Sequence, residues 1–416
     1  MRRQRIPDRH LNTTATSARV EAYLFDWLHL LVRWTHLIVG IAWIGASFYF
    51  IWLDDHLEPV ARPEDAAEGV SGELWAVHGG GFYHAQKYQV APPALPKTLH
   101  WFKWEAYWTF LSGFTLLVLL YYWKADVYLI DPQVMPLSQG AAVGIGLASL
   151  VAGWLVYDLL CRSPLGKNQA AVGGVMFVLL AAAAWGLCQV FSGRGAFLHF
   201  GAILGTIMVA NVAMVIMPGQ RELVKAKSEG RLPEAKYGEA GKLRSVHNTY
   251  FTLPALFAML SPHFAMTFGG KGNWLILILV CVAGALIRTW FVIRHKRTPP
   301  AWLLVAAVLV LAATMAAFAP RTESLPASAV PAPGAARAII NARCIACHSA
   351  KPTFTGFVEA PKGIKLDTPE GLRQNAAAVH VQSVVSRVMP PGNLTGITDE
   401  ERSVLDRWFR AGARPE

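Results

Sequence analysis

Residues 274–293 read WLILILVCVAGALIRTWFVI, twenty positions that hold a single charged side chain. A helix of about 20 apolar residues is the length that a hydrocarbon core of about 30 Å requires. Seven further segments are long and apolar enough to do the same. The predicted spans are 27–53, 104–123, 137–160, 169–191, 196–217, 249–268, 274–293 and 301–319. The sequence therefore predicts an all-α fold, an eight-helix polytopic membrane bundle.

The composition agrees with this fold class. Of the 416 residues, 54% are hydrophobic and 16% are charged, whereas soluble proteins carry roughly a quarter charged residues. The net charge of +11 comes mostly from Lys and Arg in short segments between apolar runs, which indicates membrane topology and not one basic patch. We expect a lipid bilayer as partner and no nucleic acid. Residues 1–26 lack the apolar core of a cleavable signal peptide, so the first span is expected to direct insertion.

Near the C-terminus, residues 344–348 read CIACH, the CxxCH pattern of covalent haem attachment. The thiols of Cys344 and Cys347 would bind the haem vinyl groups, and His348 would be the proximal iron ligand. A zinc site is the alternative, but it needs two further ligands, and the only later histidine is His380. We therefore predict one covalent haem c.

The sixth iron ligand is predicted at Met389. This residue stands in VMPPGN, residues 388–393, where two prolines keep the chain out of a helix. Ligation by His348 and Met389 gives a six-coordinate, high-potential carrier of single electrons. A helix over 335–342 is expected before the haem motif, and a capping box at Thr398–Glu401 is expected to open a terminal helix. The predicted domains are a polar tail (1–26), an eight-span membrane domain (27–319), a Pro/Ala-rich linker (320–336) and a small all-α class I-type cytochrome c domain (337–416).

The orientation follows from two independent observations. Haem c is attached outside the cytoplasm, so the C-terminal domain is predicted to be periplasmic, and eight spans place the N-terminus on the same side. The loops then predicted to be cytoplasmic carry 16 Lys and Arg, against 3 in the opposite loops, Lys124, Arg194 and Lys271, as the positive-inside rule requires. Five arginines in the N-terminal tail oppose this assignment and are outweighed. We predict a multi-pass protein of the bacterial inner membrane.

Three ionisable side chains share one stripe of the first span. His29, Arg33 and His36 are separated by steps of four and three residues, so they lie on one helical face. Such residues are costly inside a bilayer and usually functional, although His29 and Arg33 can instead reach the headgroup region. His199 and His263 are predicted at the same depth. Two facing histidines can ligate a b-type haem, or histidines can bind an anionic substrate with Arg33, and the residues leave both interpretations open.

A second concentration of polar residues lies in the long segment 74–105. Three glycines, 79–81, separate His78 from His84, and Lys87 follows. Glycines permit the backbone to approach a ligand closely. A structured surface loop without a ligand is the alternative.

At these residues the chain resembles the bacterial membrane-bound urate oxidases, also called urate hydroxylases, which are eight-span proteins fused to a C-terminal cytochrome c. The resemblance rests on RWTHLIVGIAWIG (33–45), on segments 74–88 and 99–107, and on CxxCH with MPPGN (389–393). The pattern at 36–45 is also similar to haem-binding porphyrinogen oxidases. The resemblance implies that urate is oxidised to 5-hydroxyisourate with water as the oxygen source. It also implies that the electrons pass through haem c to a respiratory cytochrome or terminal oxidase.

The chemistry of urate suits the stripe on the first span. Urate is a planar anion, which a guanidinium recognises well, and a histidine can act as base for the attacking water. We therefore predict His36, Arg33 and His29 as catalytic residues. A cytoplasmic site would leave electrons about 30 Å from haem c, so either the site lies in the periplasmic half or a b-type haem bridges the gap. The alternatives are a non-catalytic membrane-anchored cytochrome subunit and a dehydrogenase of another small substrate.

Overall fold

The computed structural model describes residues 9–294, 298–319, 331–354 and 357–414, and this part of the chain is mostly helical. The α-helices are α1 (Arg9–Asp55), α2 (Pro63–Ala67), α3 (Trp104–Leu117), α4 (Ala125–Tyr128), α5 (Gln139–Arg162), α6 (Gln169–Val190), α7 (Gly193–Asn211), α8 (Met217–Ser228), α9 (Ala235–Leu260), α10 (Asn273–Ile293), α11 (Trp302–Ala317), α12 (Ala335–Arg343), α13 (Pro369–His380) and α14 (Asp399–Arg410). Two strands, β1 (Val70–His78) and β2 (Gly81–Tyr88), form one hairpin. Short π-helical turns at Val118–Tyr122, Val212–Ile216 and Val381–Val385 continue α3, α7 and α13.

Within the described residues, five helical segments are long and apolar enough to cross a membrane. They are Tyr23–Asp55, Gln139–Arg162, Gln169–Val190, Gly193–Ser228 and Asn273–Ile293. The apolar helix α11 is shorter, at 16 residues. Helices thus occur at each predicted span, and five of them meet the length and hydropathy of a membrane crossing.

Local sequence explains where several helices begin. The Ser138 hydroxyl accepts a hydrogen bond from the Ala141 amide at the start of α5. The Asn168 side chain accepts from the first amides of α6, and Ser192 accepts from the Gly195 amide in α7. These polar caps satisfy amides that have no partner inside the helix.

The predicted end of one span is wrong, and the first helix is longer than its predicted span. The sixth span was expected at 249–268, but α9 covers Ala235–Leu260. Residues 261–267 instead form two short 3-10 turns, because Pro262 cannot continue the hydrogen-bond ladder of a helix. At the other end, α1 begins at Arg9, inside the predicted polar tail. The predicted linker 320–336 lies mostly outside the described residues, and α12 begins within its last two positions.

The described chain is mostly helical, as the all-α prediction requires, but segment 70–88 is an antiparallel hairpin that was not predicted. Trp75 pairs with His84, and Val77 pairs with Phe82. Gly79 and Gly80 form the turn with φ of +58° and +82°, the left-handed backbone that a two-residue hairpin turn requires. The glycines that suggested a ligand loop therefore serve the turn.

The main hydrophobic core surrounds α7. Its side chains Phe197, Phe200, Leu204 and Ile207 are almost fully buried, and α7 packs against α5, α6 and α9. By contrast, α1 packs chiefly on α3 and leaves a long row of apolar side chains exposed, including Trp27, Leu31, Trp34, Leu37 and Ile41. An exposed apolar face of this length is expected where lipid replaces water.

The C-terminal helices enclose a second, separate core. Ile340, Leu372, Ile397 and Leu405 lie at its centre. The predicted helix before the haem motif is confirmed as α12, and the predicted capping box is confirmed. The Thr398 hydroxyl accepts from the Glu401 amide while the Glu401 carboxylate accepts from the Thr398 amide.

This C-terminal domain lies against one end of the helix bundle. We call the contact the domain junction, formed by residues 127–133 and 269–271 on one side and 386–399 on the other. Gln133 Nε2 donates to the Ile397 carbonyl oxygen at 2.8 Å, and Lys271 Nζ lies 3.2 Å from Asp399 Oδ2. Because these bundle segments follow α3 and α9, the junction is at the end of the bundle opposite the hairpin, which follows α1.

Candidate functional site

The CxxCH segment presents donors that fit a covalent haem. The Cys347 and His348 amides donate to the Cys344 carbonyl at 3.2 and 2.9 Å, so the motif forms one tight turn. Cys344 and Cys347 are free thiols. The His348 Nδ1 donates to the Ile364 carbonyl oxygen at 3.0 Å, which leaves Nε2 with its lone pair for iron. The roles predicted for these three residues are chemically consistent with this geometry.

The backbone of Met389 is held from two sides. Its amide donates to the Gln382 carbonyl at 2.9 Å, and its carbonyl accepts from Nη1 of the buried Arg402 at 3.0 Å. The following Asn393 side chain exchanges hydrogen bonds with the Ile397 backbone. The Met389 loop is thereby fixed outside any α-helix, as the sequence predicts for an axial ligand.

His380, the candidate zinc ligand, serves a different purpose. Its Nε2 lies 2.8 Å from Asp406 Oδ1, and its ring stacks on Phe409 with centroids 4.2 Å apart. In the described part of the chain, no group of three His, Cys, Asp or Glu side chains is placed to hold a metal ion. The zinc alternative therefore has no support from the arrangement of donors.

Of the stripe on the first span, His36 is the most firmly held. Its Nδ1 lies 3.0 Å from the Thr109 carbonyl oxygen and 3.1 Å from Ser112 Oγ, both on α3. Gly113 makes room for the imidazole, because a Cβ at that position would lie 2.8 Å from His36 Cε1. His36 is thus part of the contact between α1 and α3.

The stripe does not converge on an interior pocket. Arg33 is exposed and is not covered by another helix. His29 is half-buried, and its Nε2 is shielded from solvent without a hydrogen-bond partner. The three residues share one face of α1, but α1 lies at the edge of the bundle and packs chiefly on α3. Other helices therefore do not cover that whole face.

His199 and His263, which are predicted at the same depth, have different environments. His199 is fully buried, with Nδ1 bonded to the Gly195 carbonyl at 2.9 Å and Nε2 bonded to the Tyr122 hydroxyl at 3.1 Å. Both ring nitrogens therefore have protein partners. His263 is exposed in the turn after α9.

Sequence reasoning missed Arg194. It stands at the second position of α7, with its guanidinium carbon 5.2 Å from the centroid of the Tyr128 ring. The guanidinium also lies beside the Tyr121 hydroxyl, and its Nε is buried without a hydrogen-bond partner. No carboxylate of the described residues forms an ion pair with it. In the sequence analysis Arg194 is only one of three basic residues predicted on the periplasmic side. Because basic residues are rare on that side, its position there could have indicated a functional role.

Most of the polar hairpin residues form contacts with other residues of the protein. The buried Glu73 carboxylate accepts from the Ala61 amide at 2.9 Å and from His84 Nε2 at 2.8 Å. The Ala61 amide, and then His84, hold the pKa of Glu73 below its usual range. Trp75 stacks on the His84 ring at 4.2 Å. Lys87 pairs with Asp54 of α1. His78 is exposed at the turn, so the structured-loop alternative describes most of this segment.

A buried polar network lies at the hairpin end of the bundle. Arg244 donates to Asp158 Oδ1 at 2.7 Å and to Asn211 Oδ1 at 3.2 Å. The Tyr157 hydroxyl lies 2.8 Å from His247 Nδ1 and accepts from Asn211 Nδ2 at 3.2 Å. His247 Nε2 in turn lies 2.8 Å from Gln169 Oε1, so His247 is part of this network.

Two glycines bring the backbones together at the domain junction. A Cβ at Gly392 would lie 2.5 Å from the Ile130 carbonyl oxygen and 2.7 Å from that of Val127. From the bundle side, Gly269 similarly contacts the Ser386 carbonyl. Val388, next to Met389, packs against the main hydrophobic core. The Met389 loop is therefore the part of the C-terminal domain that contacts the bundle.

Comparison with known proteins defines the family. Residues 22–319 match the family model described as urate oxidase N-terminal. The chain belongs to this family. The match includes the hairpin and the bundle helices through α11 and ends before the C-terminal domain. Membership confirms the resemblance to urate oxidases at the level of the family and supports a urate-related oxidoreductase. No curated protein and no solved structure matches the chain.

Proposed function

We propose that this protein is a membrane-bound oxidoreductase that oxidises urate to 5-hydroxyisourate. Water supplies the oxygen atom added at C5, and two electrons and two protons leave the substrate. The electrons pass one at a time through haem c to the respiratory chain. The observation that carries the proposal is that one chain joins a urate oxidase domain, residues 22–319, to a CxxCH domain whose Met389 loop contacts it.

The residues that would hold haem c are Cys344 and Cys347 through thioether bonds, with His348 Nε2 and Met389 Sδ as axial ligands. When bound there, a His/Met haem supplies a one-electron acceptor. The hydrogen bond from His348 Nδ1 to the Ile364 carbonyl orients the imidazole, and Arg402 fixes the backbone of Met389. These contacts would keep both ligands in place as the charge at the site changes.

We assign the domain junction to the periplasmic side of the inner membrane. The junction end of the bundle is poor in basic residues, with Lys124, Lys271 and, at the start of α7, Arg194. The hairpin end carries the basic residues of α8 and of the first half of α9, as expected for the cytoplasmic face. On this assignment the eight predicted spans place both ends of the chain in the periplasm.

The position of the junction favours a substrate site in the periplasmic half of the bundle. A site in the cytoplasmic half would require electron transfer over most of the bilayer thickness. Lys124 Nζ lies 5.5 Å from the Phe25 ring centroid, so the N-terminal part of α1 is at the junction end. His29 and Arg33 follow within three turns, and His36 lies deeper. In this proposal Arg33 attracts the urate anion and a histidine of the stripe accepts the proton of the attacking water.

Anaerobic addition of urate to the detergent-purified protein tests the proposal. We expect the absorption bands of reduced haem c to develop without any other protein. If dithionite reduces the haem and urate does not, urate is not the donor and the chain is an electron carrier for another partner. A spectrum with c-type haem only, combined with full activity of Arg33→Ala, would contradict the proposed site.

A further inference from the structure

Arg194 has an unusual environment for a cation at the end of a helix bundle. Its guanidinium faces the Tyr128 ring and lies beside the Tyr121 hydroxyl. The two tyrosine rings are 6.1 Å apart. Tyr121 is 4% exposed, so the guanidinium is held at the edge of the core and not free in solution.

The position of Arg194 is built into the fold. Ser192, two residues earlier, donates through its hydroxyl to the Tyr128 carbonyl at 2.8 Å and through its amide to the Leu129 carbonyl at 2.9 Å. These bonds lock the start of α7 onto α4. The backbone from which the Arg194 side chain extends is therefore fixed relative to Tyr128.

The cluster holds excess positive charge with unused donors. His29 and Arg33 lie one and two helical turns after Phe25 on α1, and the Phe25 ring centroid is 5.5 Å from Lys124 Nζ, beside the tyrosine segment. Arg194 Nε and His29 Nε2 are both buried without a partner. Neither arginine forms an ion pair with a carboxylate of the described residues. The Nε of arginine is always an N–H donor, and a buried donor that is left unpaired is costly, so a bound anion at Arg194 would remove that cost.

The same cluster is close to the Met389 loop. Tyr128 is adjacent to Val127, whose carbonyl oxygen a Cβ on Gly392 would approach to 2.7 Å. Gly392 is three residues from Met389, and three residues span at most about 10 Å. A ligand beside Tyr128 would therefore be close to the predicted haem.

We infer that Arg194, Tyr121 and Tyr128 form the binding site for the urate anion at the domain junction, with Arg33 and His29 at its edge. This inference rests on the proposed function and deepens it. The planar guanidinium can bind two acceptors of the planar substrate at once, and the tyrosine hydroxyls can hydrogen-bond its oxygens. Electrons would then leave urate next to the Met389 loop, without a crossing of the bilayer and without a b-type haem.

The test compares Arg194→Gln and Arg194→Lys with the matched control Lys271→Gln. Lys271 is a cation at the same junction, but it pairs with Asp399 and takes no part in the proposed site. Two quantities are measured: binding of labelled urate to the oxidised protein by equilibrium dialysis, and the urate concentration that gives half-maximal anaerobic haem reduction. Haem content and the haem midpoint potential show that each variant has folded and kept its electron acceptor.

We expect Arg194→Gln to weaken urate binding and raise the half-saturating concentration by about tenfold to a hundredfold, the usual effect of losing charged hydrogen bonds. Arg194→Lys keeps the charge but loses the planar fork, so it should also weaken binding. Lys271→Gln should stay within about threefold of the wild type. Tyr128→Phe keeps the ring under Arg194 and should weaken binding less than Arg194→Gln.

Two outcomes would overturn the inference. One is wild-type urate affinity in both Arg194 variants. The other is an Arg194→Gln variant that loses co-purified phospholipid but binds urate normally, since the cluster would then hold a lipid phosphate. Failure of the proposed function alone is distinguishable, because the wild-type protein would then bind urate, and the Arg194 variants would bind it more weakly, without any haem reduction. A wild-type protein that binds no urate would overturn both.

Discussion

Replacement of Gly392 by alanine tests whether contact at the domain junction is needed for electron transfer. The new Cβ would lie 2.5 Å from the Ile130 carbonyl oxygen, well inside van der Waals contact. Gly392 also has a φ of +53°, so alanine adds backbone strain. The variant therefore introduces both a clash at the junction and strain in its own backbone, and a control must separate these two effects.

Gly396→Ala is that control. Gly396 lies in the same segment with a φ of +66°, but its Cβ would meet only the Arg343 guanidinium at 3.8 Å, an ordinary contact. The strain of alanine in the left-handed region, about 1–2 kcal/mol, is thus common to both variants. The clash at the junction is specific to Gly392→Ala, and overpacking of this kind costs about 1–3 kcal/mol. The docked state should be disfavoured by about 5- to 150-fold.

Stopped-flow measurement of haem reduction by urate reads out the effect. We expect the rate of haem reduction to fall by up to about 150-fold in Gly392→Ala and to change little in Gly396→Ala. A second pair acts from the bundle side, away from the predicted haem ligand. Gly269→Ala introduces a clash with Ser386, whereas Gly270→Ala meets no atom within 4 Å. Equal rates within both pairs, with intact haem spectra, would refute the idea that the junction carries the electron path.

Other predictions concern stability and the haem. Asp158→Ala leaves the buried Arg244 without its carboxylate and should lower stability by about 3–5 kcal/mol, measured by thermal unfolding in detergent; a loss under about 1 kcal/mol would contradict the network. Because the pKa of Glu73 is held below 4.5, its contribution to stability is present above pH 4.5 and lost as the pH falls through the lowered pKa. Hydrogen exchange of the hairpin should show this loss in the wild type and not in Glu73→Gln. Met389→Ala should retain covalent haem but lose the six-coordinate spectrum, and an unchanged spectrum would exclude Met389 as ligand.

The elements that sequence predicted best depend on local rules. Apolar length placed a helix at every predicted span, and polar caps such as Asn168 explain their starts. The capping box at Thr398–Glu401 and the helix before CxxCH were predictable for the same reason, since each is decided within a few neighbouring residues.

The hairpin was predictable but was not predicted. Residues rich in Val, Trp, Tyr and Phe flank Gly79 and Gly80, which is the pattern of a tight hairpin turn. The glycines were instead interpreted as a place for a ligand. Because glycine permits both a turn and a close approach, the flanking residues should have decided between them.

The arrangement around Arg194 was beyond the sequence. Tyr121 and Arg194 are far apart in the chain and meet only because Ser192, at the start of α7, is hydrogen-bonded to the carbonyls of Tyr128 and Leu129. The exposure of Arg33 has a similar cause. Helical periodicity defines which residues share a face of α1, but it does not say which neighbouring helix covers that face.

The most direct test of the central claim is an anaerobic titration of the oxidised protein with urate in ¹⁸O-labelled water. We expect each urate to reduce two equivalents of haem c and the product to carry one labelled oxygen. Haem that stays oxidised while dithionite reduces it, or a product without the label, would contradict the claim.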